Sequence, residues 1–322
     1  MGMVVARARG GGALLGAAAL LGCGEPTADP PAVLARPAPP FFLSLEAEQA
    51  LPFRRPTAPL AAQLASVPTT GGCPREMVRV GRFCIDRWEA HLVDELGHVV
   101  AHNQPVRAAV GRYAISEAGV KPQAHISKYE AQAACHASSK RLCAWIEWRR
   151  ACQGPKWWRY PYGPGGKPGV CNNRKPYLLS ARYGADPTGW TKQAFNDPAF
   201  NLTPGFLAPT GSHEGCRTQE GAFDMVGNLH EWVVDRVSHD FVEKMKREGM
   251  ERRAQPAAIG GGIFMGGFYS TRAEHGQGCF FTTVAHGAKY YDYSVGFRCC
   301  RDADASRGDS SASSPGPAER GL

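Results

Sequence analysis

Cysteine usage constrains the fold of this chain more than any other feature of its sequence. The chain has 322 residues and 11 cysteines, none of them in a Cys-x-x-Cys pair. Apart from Cys23 near the N-terminus, the cysteines are Cys73, Cys84, Cys135, Cys143, Cys152, Cys171, Cys216, Cys279, Cys299 and Cys300. An even set of this size is typical of a disulfide framework in an exported protein, each bridge contributing roughly 2–4 kcal/mol. Cys73 and Cys84 flank a short β-like segment and are expected to pair, whereas the sequence leaves the other pairings open. A zinc site is the alternative, which the missing Cys-x-x-Cys spacing disfavours.

The N-terminus has the pattern of a secretory signal. Arg7 and Arg9 precede a small and apolar run from Gly10 to Leu21, and Leu20-Leu21-Gly22-Cys23 resembles a bacterial lipobox. We therefore expect a signal peptide over residues 1–22 and lipidation of Cys23. The chain would then be an exported lipoprotein of the bacterial cell envelope, attached to a membrane through its N-terminal lipid. Plain secretion is the alternative.

Composition divides the rest of the chain into three parts. Residues 23–72 are rich in Pro and Ala and read as an extended tether, and residues 303–322 read as a disordered tail. One folded domain is expected over residues 73–302. The net charge of +8 is modest, and no basic run has the length of a nucleic-acid arm, so no nucleic-acid partner is expected.

The folded part shows few regular elements. Alternation over Met77–Asp86 predicts a hairpin. Ser127 and Glu130 form a capping-box pair that predicts the start of a helix, and Ala144–Cys152 has the apolar spacing of a second helix. The following Gly- and Pro-rich stretch, with the loop from Asn173 to Gly221, is too long to stay ordered unless disulfides, metal or both hold it.

Four segments, in a fixed order, match one family pattern. They are Ile126–Ala131 with Arg141–Cys143 and Glu147-Trp148, then Tyr160–Gly163, then Asp224–Trp232, and finally Gly266-Gly267 with Gly296–Cys299. Together they resemble the formylglycine-generating enzyme family, also called sulfatase-modifying factors. The resemblance implies a single α+β domain, irregular and loop-rich, with a C-type-lectin-related core stapled here by disulfides.

The same resemblance implies stabilising calcium. The family's ligands would be the carboxylates of Asp224 and Glu231 with the carbonyl oxygens of Gly227 and Leu229, which suits the oxygen preference of Ca²⁺. Alternatively, Asp224 caps a turn and Glu231 pairs with an arginine, with no metal. A second calcium site would begin at Asn172-Asn173.

The segment after Gly266-Gly267 departs from the family pattern. The enzymes carry two cysteines there that bind copper(I), whereas this chain has Thr271 and Gly276 at the aligned positions. Formylglycine-generating activity is therefore not expected, nor is bound copper or iron. Cys279 lies three residues further and is expected to pair with Cys299 or Cys300. The cleft candidates are Arg272, Glu274, His275 and Cys279, with His275 and Glu274 as acid/base groups or metal ligands, or as solvated loop residues.

Trp157-Trp158 beside Arg159 is interpreted either as part of the core or as a binding surface.

Two functions of different classes follow from these observations. The first is a calcium-stabilised, non-catalytic binding or envelope-associated module whose ligand is an unidentified peptide, glycan or small molecule. The second is a metal-dependent oxidoreductase or maturation enzyme of the same superfamily, acting on a peptide or small metabolite. The missing cysteines favour the first, and the catalytic residues of the second are unknown.

Overall fold

The computed structural model describes residue 60 and residues 69–106, 111–248, 259–272, 277–284 and 286–304. The predicted signal peptide, Cys23, most of the tether and nearly all of the predicted tail lie outside the described residues. Glu274, His275 and Gly276 also lie outside them. Among the described helices, none has the length and apolar character needed to cross a membrane.

The described residues form short strands and helices separated by long connections. The strands are β1 (Thr69–Thr70), β2 (Cys73–Pro74), β3 (Met77–Val80), β4 (Phe83–Asp86), β5 (Ala90–Asp94), β6 (Arg112–Ser116), β7 (Arg141–Leu142), β8 (His230–Arg236), β9 (Gly262–Met265), β10 (Thr282–Thr283), β11 (Val295–Phe297) and β12 (Cys299–Asp302). The α-helices are α1 (Lys128–Ala137), α2 (Trp145–Gln153), α3 (Leu178–Tyr183), α4 (Lys192–Phe195) and α5 (His239–Arg247). The described residues also form 3-10 turns at Pro187–Gly189, Phe200–Leu202 and Gly278–Phe280.

Two four-stranded sheets organise the core. One has the order β3-β4-β12-β7 and the other β10-β9-β8-β11, while β1-β2 and β5-β6 form two-stranded pairs. The predicted hairpin is confirmed, since Met77 lies opposite Asp86 and Val80 opposite Phe83. β11 runs parallel to β8, and a single residue, Arg298, separates β11 from β12. The short link between these strands therefore joins the two sheets.

Both predicted helices are present. At the start of α1, Glu130 Oε2 accepts the backbone N–H of Ser127 at 3.1 Å, as the capping box requires. The Ser127 hydroxyl also donates to Glu130. Helix α2 buries Trp148, Ala151 and Cys152 completely, and this is the predicted apolar face. The α+β, loop-rich fold class is confirmed.

Five disulfides tie the described elements together. They are Cys73–Cys84, Cys135–Cys299, Cys143–Cys300, Cys152–Cys279 and Cys171–Cys216. The predicted Cys73–Cys84 pair is confirmed. Cys171–Cys216 closes most of the long loop, which was expected to need such a link.

The predicted pairing of Cys279 with Cys299 or Cys300 is wrong. Consecutive strand residues point to opposite faces, so Cys299 and Cys300 reach different partners. Strand β12 lies beside β7, with Cys299 opposite Leu142, and this register brings Cys143 to Cys300. Cys279 bonds instead to Cys152 at the end of α2.

We predict that the double variant Cys152→Ser/Cys279→Ser unfolds more easily by roughly 2–5 kcal/mol, because the bridge restricts the unfolded chain. Cys73→Ser/Cys84→Ser is the matched control, since its cysteines are 11 residues apart rather than 127. The free energy of unfolding of this control should fall by less, because closing a short loop costs the unfolded chain less entropy. Guanidinium denaturation measures both, and a larger loss in the control would contradict the prediction.

Candidate functional site

An open cleft of about 410 Å³, a volume that includes space open to solvent, lies beside the segment that departs from the family pattern. Its walls come from the Tyr160–Lys167 region, the start of the long loop, and the segment after Gly266. Seven of the lining residues carry its polar chemistry: Tyr160, Tyr162, Lys167, Asn173, Arg174, Thr271 and Arg272. Of the predicted cleft candidates, Arg272 lines the cleft.

Glycines fix the backbone of this cleft. Gly266, Gly267 and Gly278 have positive φ values of 85°, 78° and 60°. A Cβ on Gly267 would lie 2.8 Å from Thr271 Cγ2, and one on Gly278 would lie 2.3 Å from the Arg159 carbonyl oxygen. Only glycine adopts these conformations in so little space. The Gly-Gly pair thus holds Thr271 against the cleft wall.

Thr271 serves the local turn. Its Oγ1 accepts the Phe268 N–H at 2.9 Å, and its carbonyl oxygen accepts the Arg174 N–H at 2.9 Å. The residue is 6% exposed. A hydroxyl is a hard donor with no affinity for copper(I), which prefers thiolates. At the position where the sequence resemblance expects a copper ligand, this chain therefore has a residue that stabilises the local turn.

Cys279 also has a structural role. It is fully buried, its sulfur is bonded to Cys152, and its N–H donates to the Arg159 carbonyl at 2.8 Å. A disulfide sulfur is neither a thiolate ligand nor a nucleophile. Cys279 thus links helix α2 to the cleft wall. The cleft candidates Glu274 and His275 lie outside the described residues.

The described lining of the cleft is cationic and aromatic. Lys167, Arg174 and Arg272 are exposed, and none of the described lining residues carries a carboxylate. Tyr160 and Tyr162 stack with ring centroids 5.6 Å apart, and the Tyr162 hydroxyl accepts the Lys167 N–H at 2.9 Å. Burial raises the pKa of Tyr162, so its hydroxyl stays neutral. The arrangement can hold an anionic group next to an aromatic wall.

Behind the cleft, Glu231 and Arg298 form a fully buried ion pair. Arg298 Nε donates to Glu231 Oε2 at 2.6 Å, and Arg298 Nη2 donates to Oε1 at 2.7 Å. The Trp148 indole N–H donates to the same Oε2 at 2.6 Å. Arg298 also donates to the carbonyl oxygens of Asp86 and Phe223. Every polar atom of this bidentate pair is therefore satisfied away from water.

Two further buried carboxylates face the same guanidinium. Glu89 accepts the Leu229 N–H at 3.0 Å and the Asn228 side-chain amide, and Asp224 Oδ2 accepts the Gly211 N–H at 2.7 Å. Burial raises the pKa of Glu89 well above its usual range and that of Asp224 to about 6. The sequence gives no indication of Glu89, because it belongs to none of the matched segments.

The contacts of Glu231 and Asp224 are those of the alternative without metal, namely a turn contact and an arginine pair. However, three buried carboxylates, those of Glu89, Asp224 and Glu231, share one guanidinium. Binding of a cation here would favour the charged forms of Glu89 and Asp224. Among the described residues, no group of three or more His, Cys, Asp or Glu side chains converges on a metal position.

Asn172 and Asn173, expected to begin a second calcium site, lie in different surroundings. Asn173 lines the cleft, whereas Asn172 is buried, and its Nδ2 donates to the Phe206 carbonyl and to Asn228 Oδ1. The Asn172 Oδ1 has no hydrogen-bond partner among the described residues. A buried carboxamide oxygen left in this state fits a cation or a water molecule.

The described residues form a loop-rich α+β domain with a cleft beside the Gly266-Gly267 turn. Residues 63–303 match the family model described as "Sulfatase-modifying factor enzyme 1-like domain". The chain belongs to this family, which confirms the family prediction. No curated protein sequence matches the chain significantly.

Several solved structures resemble the chain. PvdO from Pseudomonas aeruginosa is 15% identical with a TM-score of 0.39, covering 68% of this chain and 80% of its own. CarF is 17% identical with a TM-score of 0.38, and the match covers 69% of this chain and 87% of CarF. The U1 variant of the Major Tropism Determinant is 13% identical with a TM-score of 0.38, and the match covers 71% of this chain and 53% of that structure's chain. TM-scores this low carry no argument about function.

We predict that Arg298→Met lowers the free energy of unfolding by about 3–5 kcal/mol, because it leaves buried carboxylates without their cation. Arg301→Met is the matched control in β12, since Arg301 pairs with Asp304 at 2.9 Å near the surface. That pair is worth about 0–1 kcal/mol. Chemical denaturation of both variants gives the comparison, and equal losses would show that the Glu231 pair has no special role.

Proposed function

We propose that this chain is an exported, membrane-anchored lipoprotein whose sulfatase-modifying-factor-like domain is a non-catalytic binding module for an anionic ligand. The main support for this proposal is the bonding of Thr271 and Cys279 in the segment after Gly266-Gly267. Thr271 is engaged in a turn and Cys279 in a disulfide, so neither offers a thiolate. The charged side chains of the described cleft lining are all cationic.

Export is supported by the disulfides and by the leader pattern. Bridges persist in oxidising compartments and are rare in the cytosol of most organisms, and the described domain has five. The lipobox-like Leu20–Cys23 supports attachment through a lipid on Cys23. The membrane is accordingly the proposed partner at the N-terminus, and the cell envelope the proposed location.

Binding in the cleft follows from charge and shape. Lys167, Arg174 and Arg272 surround an opening beside Tyr160 and Tyr162. Guanidinium and ammonium groups donate charge-assisted hydrogen bonds to carboxylate, phosphate or sulfate oxygens. The tyrosine rings offer an apolar surface to the rest of the ligand. The ligand class that fits is an anion attached to a larger organic group.

The oxidoreductase alternative is not favoured by the donor set. None of the described lining residues is a histidine, a free cysteine or a carboxylate, so the described wall lacks the usual ligands of a redox metal.

We predict that citrate binds the full chain, and that Lys167→Gln/Arg174→Gln weakens this binding about tenfold through loss of charge-assisted hydrogen bonds. Lys246→Gln is the matched control, because Lys246 lies on α5 and is not part of the cleft. Calorimetric titration measures both, and added salt should weaken binding further. Citrate that does not bind, or that binds both variants equally, would contradict the proposed function.

We also propose that calcium stabilises the domain, held by the Asp224 and Glu231 carboxylates with the Gly227 and Leu229 carbonyl oxygens. The support is the cluster of buried carboxylates around Arg298. Bound calcium would favour their charged forms and stabilise the folded state. Asn172 and Asn173 are the candidates for a second, weaker site.

If calcium binds, adding it at a hundred times its Kd should stabilise the domain by about 2.7 kcal/mol relative to the chelated protein. Asp224→Asn should abolish the difference, and magnesium should substitute poorly because it prefers smaller, octahedral sites. Thermal unfolding with calcium and with chelator checks this. An identical Tm in both conditions would mean that Arg298 alone neutralises the cluster.

A further inference from the structure

Next to the cleft, the chain exposes an aromatic turn that the proposed function does not use. Trp157 is 63% exposed and has a φ of 55°, in the left-handed region that bulky residues rarely adopt. Trp158 follows it and is half-buried, and Arg159 is exposed. The sequence left open whether these tryptophans belong to the core, and the exposure of Trp157 excludes that for Trp157. Strained backbone that carries an exposed large side chain is typical of binding surfaces.

The turn is built rigidly. At the end of helix α2, Trp157 N–H donates to the Gly154 carbonyl at 3.1 Å, and Trp158 N–H donates to the Gln153 carbonyl at 2.9 Å. The Cys152–Cys279 disulfide lies directly before this turn, and the Arg159 carbonyl directly after it accepts the Cys279 N–H. The two tryptophans are therefore anchored on both sides to the wall of the cleft.

Cations cover part of each indole ring. The Arg150 guanidinium lies 5.5 Å from the Trp157 ring centroid, and the Lys156 ammonium lies 5.0 Å from that of Trp158. Such contacts hold the rings in place. Arg159, which donates to Gln277 Oε1 at 3.4 Å, continues the positive charge from the turn to the cleft. Arg150 itself pairs with Glu220 at 3.1 Å, so Lys156 and Arg159 supply the positive charge of the aromatic surface next to the cleft.

We propose that the Trp157-Trp158 turn and the cleft form one elongated site for an acidic polysaccharide. The inference rests on the proposed function, since the cleft binds one acidic group. Sugar rings present C–H groups that stack on aromatic faces, and the carboxylates or sulfates of successive sugars face the cations. Single-stranded nucleic acid also combines stacking with charge. An exported protein encounters acidic polysaccharides in the envelope, which favours them as the ligand.

The test measures binding of an oligogalacturonate to the full chain, with its methyl-esterified form as the uncharged counterpart. We expect the acidic form to bind at least tenfold more tightly. Trp157→Gly/Trp158→Ala should weaken its binding at least tenfold while leaving citrate affinity within twofold, since glycine tolerates the positive φ at residue 157. Leu202→Ala is the matched control, because Leu202 is 60% exposed and does not line the cleft.

Three results would overturn the inference. They are equal binding of the charged and esterified oligosaccharides, unchanged binding by the tryptophan variant, and tighter binding of a thymidine oligonucleotide than of the oligogalacturonate. If citrate binds and the oligogalacturonate does not, the elongated site is wrong and the proposed function stands. If citrate also fails to bind, the proposed function fails and this inference fails with it.

Discussion

The buried ion pair between Glu231 and Arg298 is the interaction on which the rest of this fold depends. Glu231 belongs to β8 in one sheet, and Arg298 lies in the one-residue link between β11 and β12, which belong to different sheets. The guanidinium also donates to the Asp86 carbonyl at the end of β4. A charge pair buried this deeply is stable only when all its donors and acceptors are satisfied. Both sheets must therefore be in register before the pair can form.

The same pair connects the core to the cleft. Trp148 donates to Glu231, and a Cβ on Gly266 would lie 3.0 Å from the Trp148 ring. The Gly266-Gly267 backbone follows that ring closely and then turns to place Thr271 at the cleft. Packing and charge thus connect the buried pair to the cleft segment, where Thr271 and the disulfide of Cys279 have structural roles.

Local signals in the sequence predicted local structure well. The Met77–Asp86 hairpin, the capping pair at Ser127 and the Cys73–Cys84 bridge all depend on residues close together in the chain. The partner of Cys279 could not be predicted in this way, because it depends on the register of β12 against β7. The four matched segments predicted the family, and comparison with the family pattern identified the difference at Thr271. Glu89, outside any of them, reaches the Asn228 turn only through tertiary packing, so its role at the buried cluster had no sequence signal.

The sequence motifs did not predict the cationic lining of the cleft either. Lys167 and Arg174 lie in irregular loops, where neither periodicity nor spacing indicates that two side chains will converge. We propose that a disulfide-stapled binding cleft takes the place of copper chemistry in this member of the family. Elemental analysis of the purified full chain, combined with identification of any free thiol by alkylation and peptide mapping, tests this proposal most directly. We expect no stoichiometric copper or iron and a fully oxidised Cys279, whereas bound copper or iron together with a free Cys279 thiol would contradict the proposal.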